Sequence, residues 1–174
     1  MAEEKYSGEL EGLRVVVRGE DAVKLWNYGF YGEFREGVLV VSAPEALFLV
    51  KQGKLRVFLG EVELDFKALL NHFLKLDSDI WVKYLIFSDL RRRGYIVKPG
   101  FGSGISFRVY RRGAVMGKEP AKYLVYGAVE GKPIELSSLS RMIREARSAR
   151  KDLILAIVDR QGEVTYYDVT LVTL

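Results

Sequence analysis

The chain is predicted to be a mixed α/β protein of the α+β type, built from two small units. Its 174 residues suffice for one ordinary domain or two small ones, with a core that needs no staples. Short runs of alternating apolar residues are interleaved with capped helical patterns, which indicates mixed sheets with flanking helices. The charge also changes sign along the chain: a cut after Asp77 leaves 10 Lys and Arg against 13 Asp and Glu before it, and 17 against 10 after it. The expected units are therefore an N-terminal mixed α/β domain at 1–77 carrying −3 and a C-terminal domain at 78–174 carrying +7. A basic domain is a candidate for a polyanionic partner, although many domains are basic for other reasons.

The elements follow in order. Leu13, Val15 and Val17 alternate as a strand, and Asp21 is placed to cap a helix running to about Tyr28, which Gly29 and Gly32 break. Val38 to Val41 reads as a strand. Ser42, with Pro44 in the first turn and Glu45 three residues on, forms a capping box for a helix whose Ala46, Leu47 and Val50 face the core. Gly53 stops that helix, Leu55 to Leu59 is a short strand, and Phe66, Leu69, Leu70, Phe73 and Leu74 recur at helical spacing. Asp77-Ser78-Asp79 caps a longer helix joining the halves, with Trp81, Tyr84, Leu85 and Leu90 as its buried stripe and Arg91-Arg92-Arg93-Gly94 at its end. Strands are predicted at Tyr95 to Lys98, Ile105 to Tyr110 and Lys122 to Val129, then a helix from about Ser138 to Arg150. Leu153 to Val158 is continuously apolar, as a strand buried on both faces would be, and the turn Arg160 to Glu163 leads into a last strand, Val164 to Leu174.

Without cysteine, disulfides and thiolate metal sites are excluded; with one histidine and no tight carboxylate cluster, no metal or other cofactor is expected. The chain lacks a run of ~18 apolar residues, and Met1-Ala2-Glu3-Glu4-Lys5 is polar and acidic, so a soluble, cytoplasmic protein with no membrane partner is expected.

Few residues are placed to do chemistry. Tyr110 ends a strand and precedes Arg111-Arg112, where a phenol can serve as a base; equally, it can be one of 10 tyrosines packed on a sheet. Lys151 lies where a basic helix meets an apolar strand, and can face a phosphate or simply complement the helix dipole. Arg141, Arg144, Arg147 and Arg150 recur every third residue and drift around the helix, as an RNA-binding face or a solvated one. Arg144 is the candidate for stacking on a bulged base. His72, among apolar helix residues, reads as structural, and Gly100, Gly102 and Gly104 form a strand connection with no phosphate-loop helix behind them.

Taken in order, several segments are similar to the archaeal tRNA-splicing endonuclease family. They are Tyr31-Gly32, Val38 to Val41, Ser42 to Leu55, Ser88-Asp89-Leu90-Arg91-Arg92-Arg93-Gly94-Tyr95, Phe107-Arg108-Val109-Tyr110 and Tyr123-Leu124-Val125. The most specific is Leu139-Ser140-Arg141 through Ala149-Arg150-Lys151, followed by Ala156-Ile157-Val158-Asp159 and Tyr166-Tyr167. The resemblance implies a C-terminal nuclease-like domain and a metal-independent enzyme that excises introns from precursor tRNA at bulge-helix-bulge sites. The RNA's own 2′-hydroxyl attacks, leaving 2′,3′-cyclic phosphate and 5′-hydroxyl ends. It further implies a Tyr general base, a His general acid and a Lys facing the charged transition state, onto which Tyr110 and Lys151 match as catalytic positions. The histidine does not match: its position before the Tyr-Leu-Val strand is held by Pro120, followed by Ala121-Lys122, and neither Pro120 nor Ala121 donates a side-chain proton.

The family includes heterotetramers of two catalytic and two structural subunits, and the missing histidine resembles the structural kind. The expected partners are a catalytic subunit in a two-plus-two assembly and precursor tRNA. The interface expected by resemblance is the loop from Asp159 to Glu163, entering a basic pocket of a neighbour, and the last strand with Tyr166, Tyr167, Val169 and Leu171. Two other readings stand beside it: a self-sufficient splicing endonuclease in which Lys122 or a water supplies the proton, and an RNA-binding module that has lost cleavage.

Overall fold

A computed structural model describes residues 4–101 and 104–174, which separate into two compact units, Met1–Phe87 and Ser88–Leu174. Gly102 of the expected strand connection lies outside the described residues. The division falls after Phe87, inside a helix.

The first unit is a six-stranded sheet with strand order β3-β4-β2-β1-β5-β6, formed by β1 (Tyr6–Glu11), β2 (Arg14–Val17), β3 (Glu33–Arg35), β4 (Val38–Ser42), β5 (Leu55–Leu59) and β6 (Val62–Leu64). Only β1 and β5 pair in parallel; all other neighbours are antiparallel. The strand β1 was not expected from the sequence: Tyr6, Gly8 and Leu10 alternate inward, and Gly8 is required there because a Cβ would stand 2.6 Å from Val15 Cγ1. The helices are α1 (Gly19–Gly29), α2 (Ala43–Lys51) and α3 (Phe66–Leu76). Val15, Leu25, Leu39, Leu47, Val57, Leu69 and Phe73 are fully buried between these elements.

Several local expectations change. Asp21 lies in the first turn of α1 rather than before it, and its carboxylate accepts the backbone N–H of Ser7 at 2.9 Å, tying β1 to the helix. The left-handed residue that ends α1 is Phe30 (φ 56), not a glycine; its N–H donates to Trp26 O and its ring meets Trp26 edge-on at 5.5 Å. Leu74 is partly exposed, leaving Leu69 and Phe73 as the buried face of α3.

The capping box at α2 is as expected. Glu45, 1% exposed, accepts hydrogen bonds from the N–H and hydroxyl of Ser42 at 2.9 and 2.8 Å and from the N–H of Gly32 at 3.0 Å. One carboxylate thus joins the helix start to the turn before β3. At Gly32 (φ +73) a Cβ would stand 2.8 Å from Leu39 Cγ, so that position is reserved for glycine.

Helix α4 (Ile80–Arg92) carries the division between the units. The Asp77 carboxylate accepts the N–H of Asp79 at 2.9 Å and pairs with Lys83 at 2.6 Å, which draws its pKa below the usual carboxylate range although burial opposes this. The buried stripe differs from the expected one. Trp81 is 42% exposed and Leu85 half-buried, while Ile80, Tyr84, Ile86, Phe87, Ser88 and Leu90 are buried.

The second unit is a five-stranded sheet with strand order β11-β10-β9-β8-β7, formed by β7 (Ile96–Pro99), β8 (Phe107–Tyr110), β9 (Tyr123–Val129), β10 (Asp152–Val158) and β11 (Val164–Val169). Strands β9 and β10 run parallel, joined through α5 (Leu136–Ser148); the other neighbours are antiparallel. Met142, Ile143 and Ala146 of α5 pack with Ile105, Leu124 and Leu153. Two expectations are corrected. Ile154, Leu155 and Ile157 are only half-buried, so β10 is not sealed on both faces, and β11 ends at Val169, with Thr170 to Leu174 outside any strand. Among the described residues, no helix is long and apolar enough to cross a membrane.

Replacing Glu45 by alanine removes the carboxylate that accepts from the buried Gly32 N–H and the part-buried Ser42 N–H and should cost about 2–4 kcal/mol. Both tryptophans, Trp26 and Trp81, lie in the first unit, so urea unfolding followed by tryptophan fluorescence reads the loss directly.

Candidate active site

The register of the second sheet gathers the sequence-predicted residues at one end. Strand β8 finishes at Tyr110, one residue past the Val109–Tyr123 pair, and Lys122 N–H donates to Val109 O at 2.9 Å. Strand β10 starts in parallel with β9, with Asp152 opposite Tyr123. Tyr110, Ala121-Lys122 and Lys151 therefore sit side by side at the ends of three adjacent strands, within two interstrand spacings, or ~10 Å.

Side-chain alternation puts Tyr110 on the same face as Leu124, the face that α5 covers, and Tyr110 is 8% exposed. The half-buried Lys151 donates from Nζ to the Ala121 carbonyl at 2.6 Å. It thus reaches across to the segment that holds Pro120.

Lys151 is delivered by the end of α5. Its N–H donates to Ala146 O at 2.9 Å and that of Arg150 to Arg147 O at 3.0 Å, with Arg150 left-handed at φ 55. This is a Schellman ending. Helices α2 and α4 end by the same pair of bonds with Gly53 and Gly94 in the left-handed position. At α5 that position is an arginine, which costs ~1–2 kcal/mol of local strain immediately before Lys151. A shallow cavity of about 230 Å³ opens here, lined by Ile143, Arg147, Lys151, Leu153, Val169 and Leu171 among others.

Arg141, Arg144, Arg147 and Arg150 are all exposed, opposite the buried Met142, Ile143 and Ala146. Lys122 is paired with Asp152 at 2.6 Å, so the ammonium invoked by the self-sufficient reading is already engaged. His72 lies in the first unit, where its Nε2 is 3.0 Å from Gly12 O and its ring meets Phe73 edge-on.

At the outer strand, the Asp159 Oδ1 atom accepts the N–H groups of Gln161 and Glu163 at 2.8 and 2.9 Å, holding its own turn closed; Glu163 is exposed. Tyr167 is 53% exposed and Leu171 40%, while Val169 is half-buried. Tyr166 turns inward instead: its hydroxyl donates to Asp89 at 2.7 Å, Arg93 pairs with the same carboxylate at 2.7 Å, and the Arg93 guanidinium lies 5.5 Å from the Tyr166 ring centre. Sequence reading placed Tyr166 at an interface but missed this anchor, which joins β11 to α4.

Burial, followed by the bond to Asp89, pushes the Tyr166 phenol well above its ordinary pKa. A raised phenol pKa favours folding below the unfolded pKa of ~10, and that contribution is lost as pH rises toward the folded value. The second unit should therefore lose stability above about pH 10 by at most ~1.4 kcal/mol per pH unit, less the screening expected at a partly exposed ring. Tyr166→Phe should cost about 1 kcal/mol at neutral pH and flatten this dependence, as read by urea midpoints of far-UV circular dichroism at pH 7 to 11.

Two family models match in tandem: "tRNA intron endonuclease, N-terminal domain" over residues 6–70 and "tRNA intron endonuclease, catalytic C-terminal domain" over 80–166. Among curated proteins, a tRNA-splicing endonuclease of Pyrococcus furiosus is 39% identical over 162 residues, 92% of each chain. One of Thermococcus kodakarensis is 38% identical over 161 residues, covering 92% of this chain and 94% of the relative. One of Methanosarcina acetivorans is 35% identical over 161 residues, 92% of this chain but only 45% of that longer relative. With both halves matched in order and identity sustained along nearly its full length, the chain belongs to the tRNA-splicing endonuclease family.

Proposed function

We propose that this chain is the structural subunit of a tRNA-splicing endonuclease, positioning precursor tRNA and completing the assembly while a histidine-bearing catalytic subunit performs the cut. The observation that carries the reading is Pro120. It occupies the position of the general acid between Tyr110 and Lys151, and the chain's only histidine is engaged with a backbone carbonyl in the other unit.

The missing group matters because the 2′-hydroxyl attack expels a 5′-oxygen, which leaves poorly unless protonated. Tyr110 would take the proton from the 2′-hydroxyl, and Lys151 would face the dianionic phosphorane. Neither serves the leaving oxygen, and losing a positioned acid costs ~10²- to 10⁴-fold. The exposed arginines of α5 provide charge for the RNA backbone without needing a complete catalytic set.

The assembly we envisage contains two copies of this chain and two catalytic subunits. The exposed Tyr167 and Leu171, beside β11 at the sheet edge, support docking there. Glu163 offers the free carboxylate of the preceding loop, since Asp159 is spent on its own turn.

The test is cleavage of a bulge-helix-bulge RNA by the purified chain, alone and mixed with a histidine-bearing family member from the same source. The expected result is a rate at least 100-fold higher in the mixture, with cyclic phosphate ends. Cleavage by the chain alone at the rate of the mixture would overturn the proposal.

A further inference from the structure

A second cluster lies at the same end of the second sheet, on the opposite face, outside the catalytic and interface positions. The Arg112 guanidinium lies over the Tyr95 ring, 4.9 Å from its centre. Tyr95 in turn meets Tyr123 edge-on, with ring centres 6.4 Å apart at 86°. Arg91 donates to the Tyr95 carbonyl at 3.4 Å, and Lys122 Nζ lies 6.0 Å from the Tyr123 ring centre. The two tyrosines are half-buried and Arg112 is exposed.

Register fixes the position of this stack. Tyr95 precedes Ile96, the partner of Tyr110, and Tyr123 is the partner of Val109. The carboxylates nearby are neutralised: Asp152 is paired with Lys122, and Asp89 with Arg93 and Tyr166. Among the described residues, no carboxylate pairs with Arg112, and its contact is the ring beneath it.

A guanidinium placed over an aromatic ring with no anionic partner is half of a stacking site. The contact with the ring restrains the side chain, so less side-chain entropy is lost when a second π-face covers it. The end of the stack carries positive charge and sits one strand position from Tyr110. An unpaired nucleobase with its flanking phosphates matches both features, whereas a base inside a duplex presents no free face.

We infer that Arg112, backed by Tyr95 and Tyr123, is a stacking platform for one unpaired nucleobase of an RNA bulge. The inference rests on the RNA-positioning reading above and deepens it by naming residues that recognise the unpaired nucleotide. Arg112 is a positioning residue and touches no reacting atom.

The test uses the full-length chain, a bulge-helix-bulge RNA carrying 2-aminopurine at each bulge position in turn, and a plain duplex of equal length. The wild-type chain should quench one reporter position. Arg112→Ala should abolish that quenching and weaken binding of the bulged RNA about 5- to 100-fold. Arg112→Lys keeps the charge and loses the plane: duplex affinity should stay within about twofold while quenching is lost. Tyr95→Phe keeps the ring and should quench as the wild type does, and circular dichroism confirms that each variant is folded. Quenching by Arg112→Lys equal to wild type, or preference for bulged RNA with no reporter quenched, would overturn the platform alone. Equal binding of bulged and duplex RNA by the wild type would overturn the RNA-positioning reading and the platform with it.

Discussion

The parallel pairing of β9 with β10 is the constraint on which the candidate site depends. Parallel neighbours need a crossover, and α5 supplies it, so the end of that helix returns to the end of the sheet where β9 begins. Antiparallel β8 finishes at the same end. Tyr110, Ala121 and Lys151 therefore come to the same end of the sheet as a consequence of strand direction. The Lys151–Ala121 hydrogen bond fastens the two parallel strands where they start, and Leu153, Leu124 and Met142 hold the crossover down.

The ending of α5 shows where local preference yields to the site. Two other helices stop with a glycine in the left-handed position, where it costs nothing; α5 stops with Arg150, as α1 stops with Phe30. A glycine would relieve the strain but remove a cation beside Lys151.

Much of this was legible in the sequence. The Ser42–Glu45 capping box, the strand starts around Tyr123 and Asp152 and the Tyr110–Lys151 placement follow from local pattern or resemblance, and the fold class with them. What was missed depends on distant partners. Strand β1 hides because its inward positions are Tyr6, Gly8 and Leu10, and Gly8 is chosen for Val15 rather than for its own propensity. The helical spacing of Trp81, Tyr84, Leu85 and Leu90 predicts one buried stripe, yet Trp81 is exposed and burial falls also on Ile86 and Ser88. The Tyr166–Asp89 bond and the Arg112–Tyr95–Tyr123 stack join residues whose proximity only strand register reveals.

The central claim is that this chain holds a base position and a charge-stabilising position but no proton donor for the leaving oxygen. A 5′-thiolate leaves without being protonated, so a bulge-helix-bulge RNA with sulfur in place of the bridging 5′-oxygen isolates the missing step. The account predicts that the chain alone cuts the sulfur-bridged RNA and leaves the oxygen-bridged one essentially intact. Equal cleavage of the two by the chain alone would reveal a working acid and contradict the account.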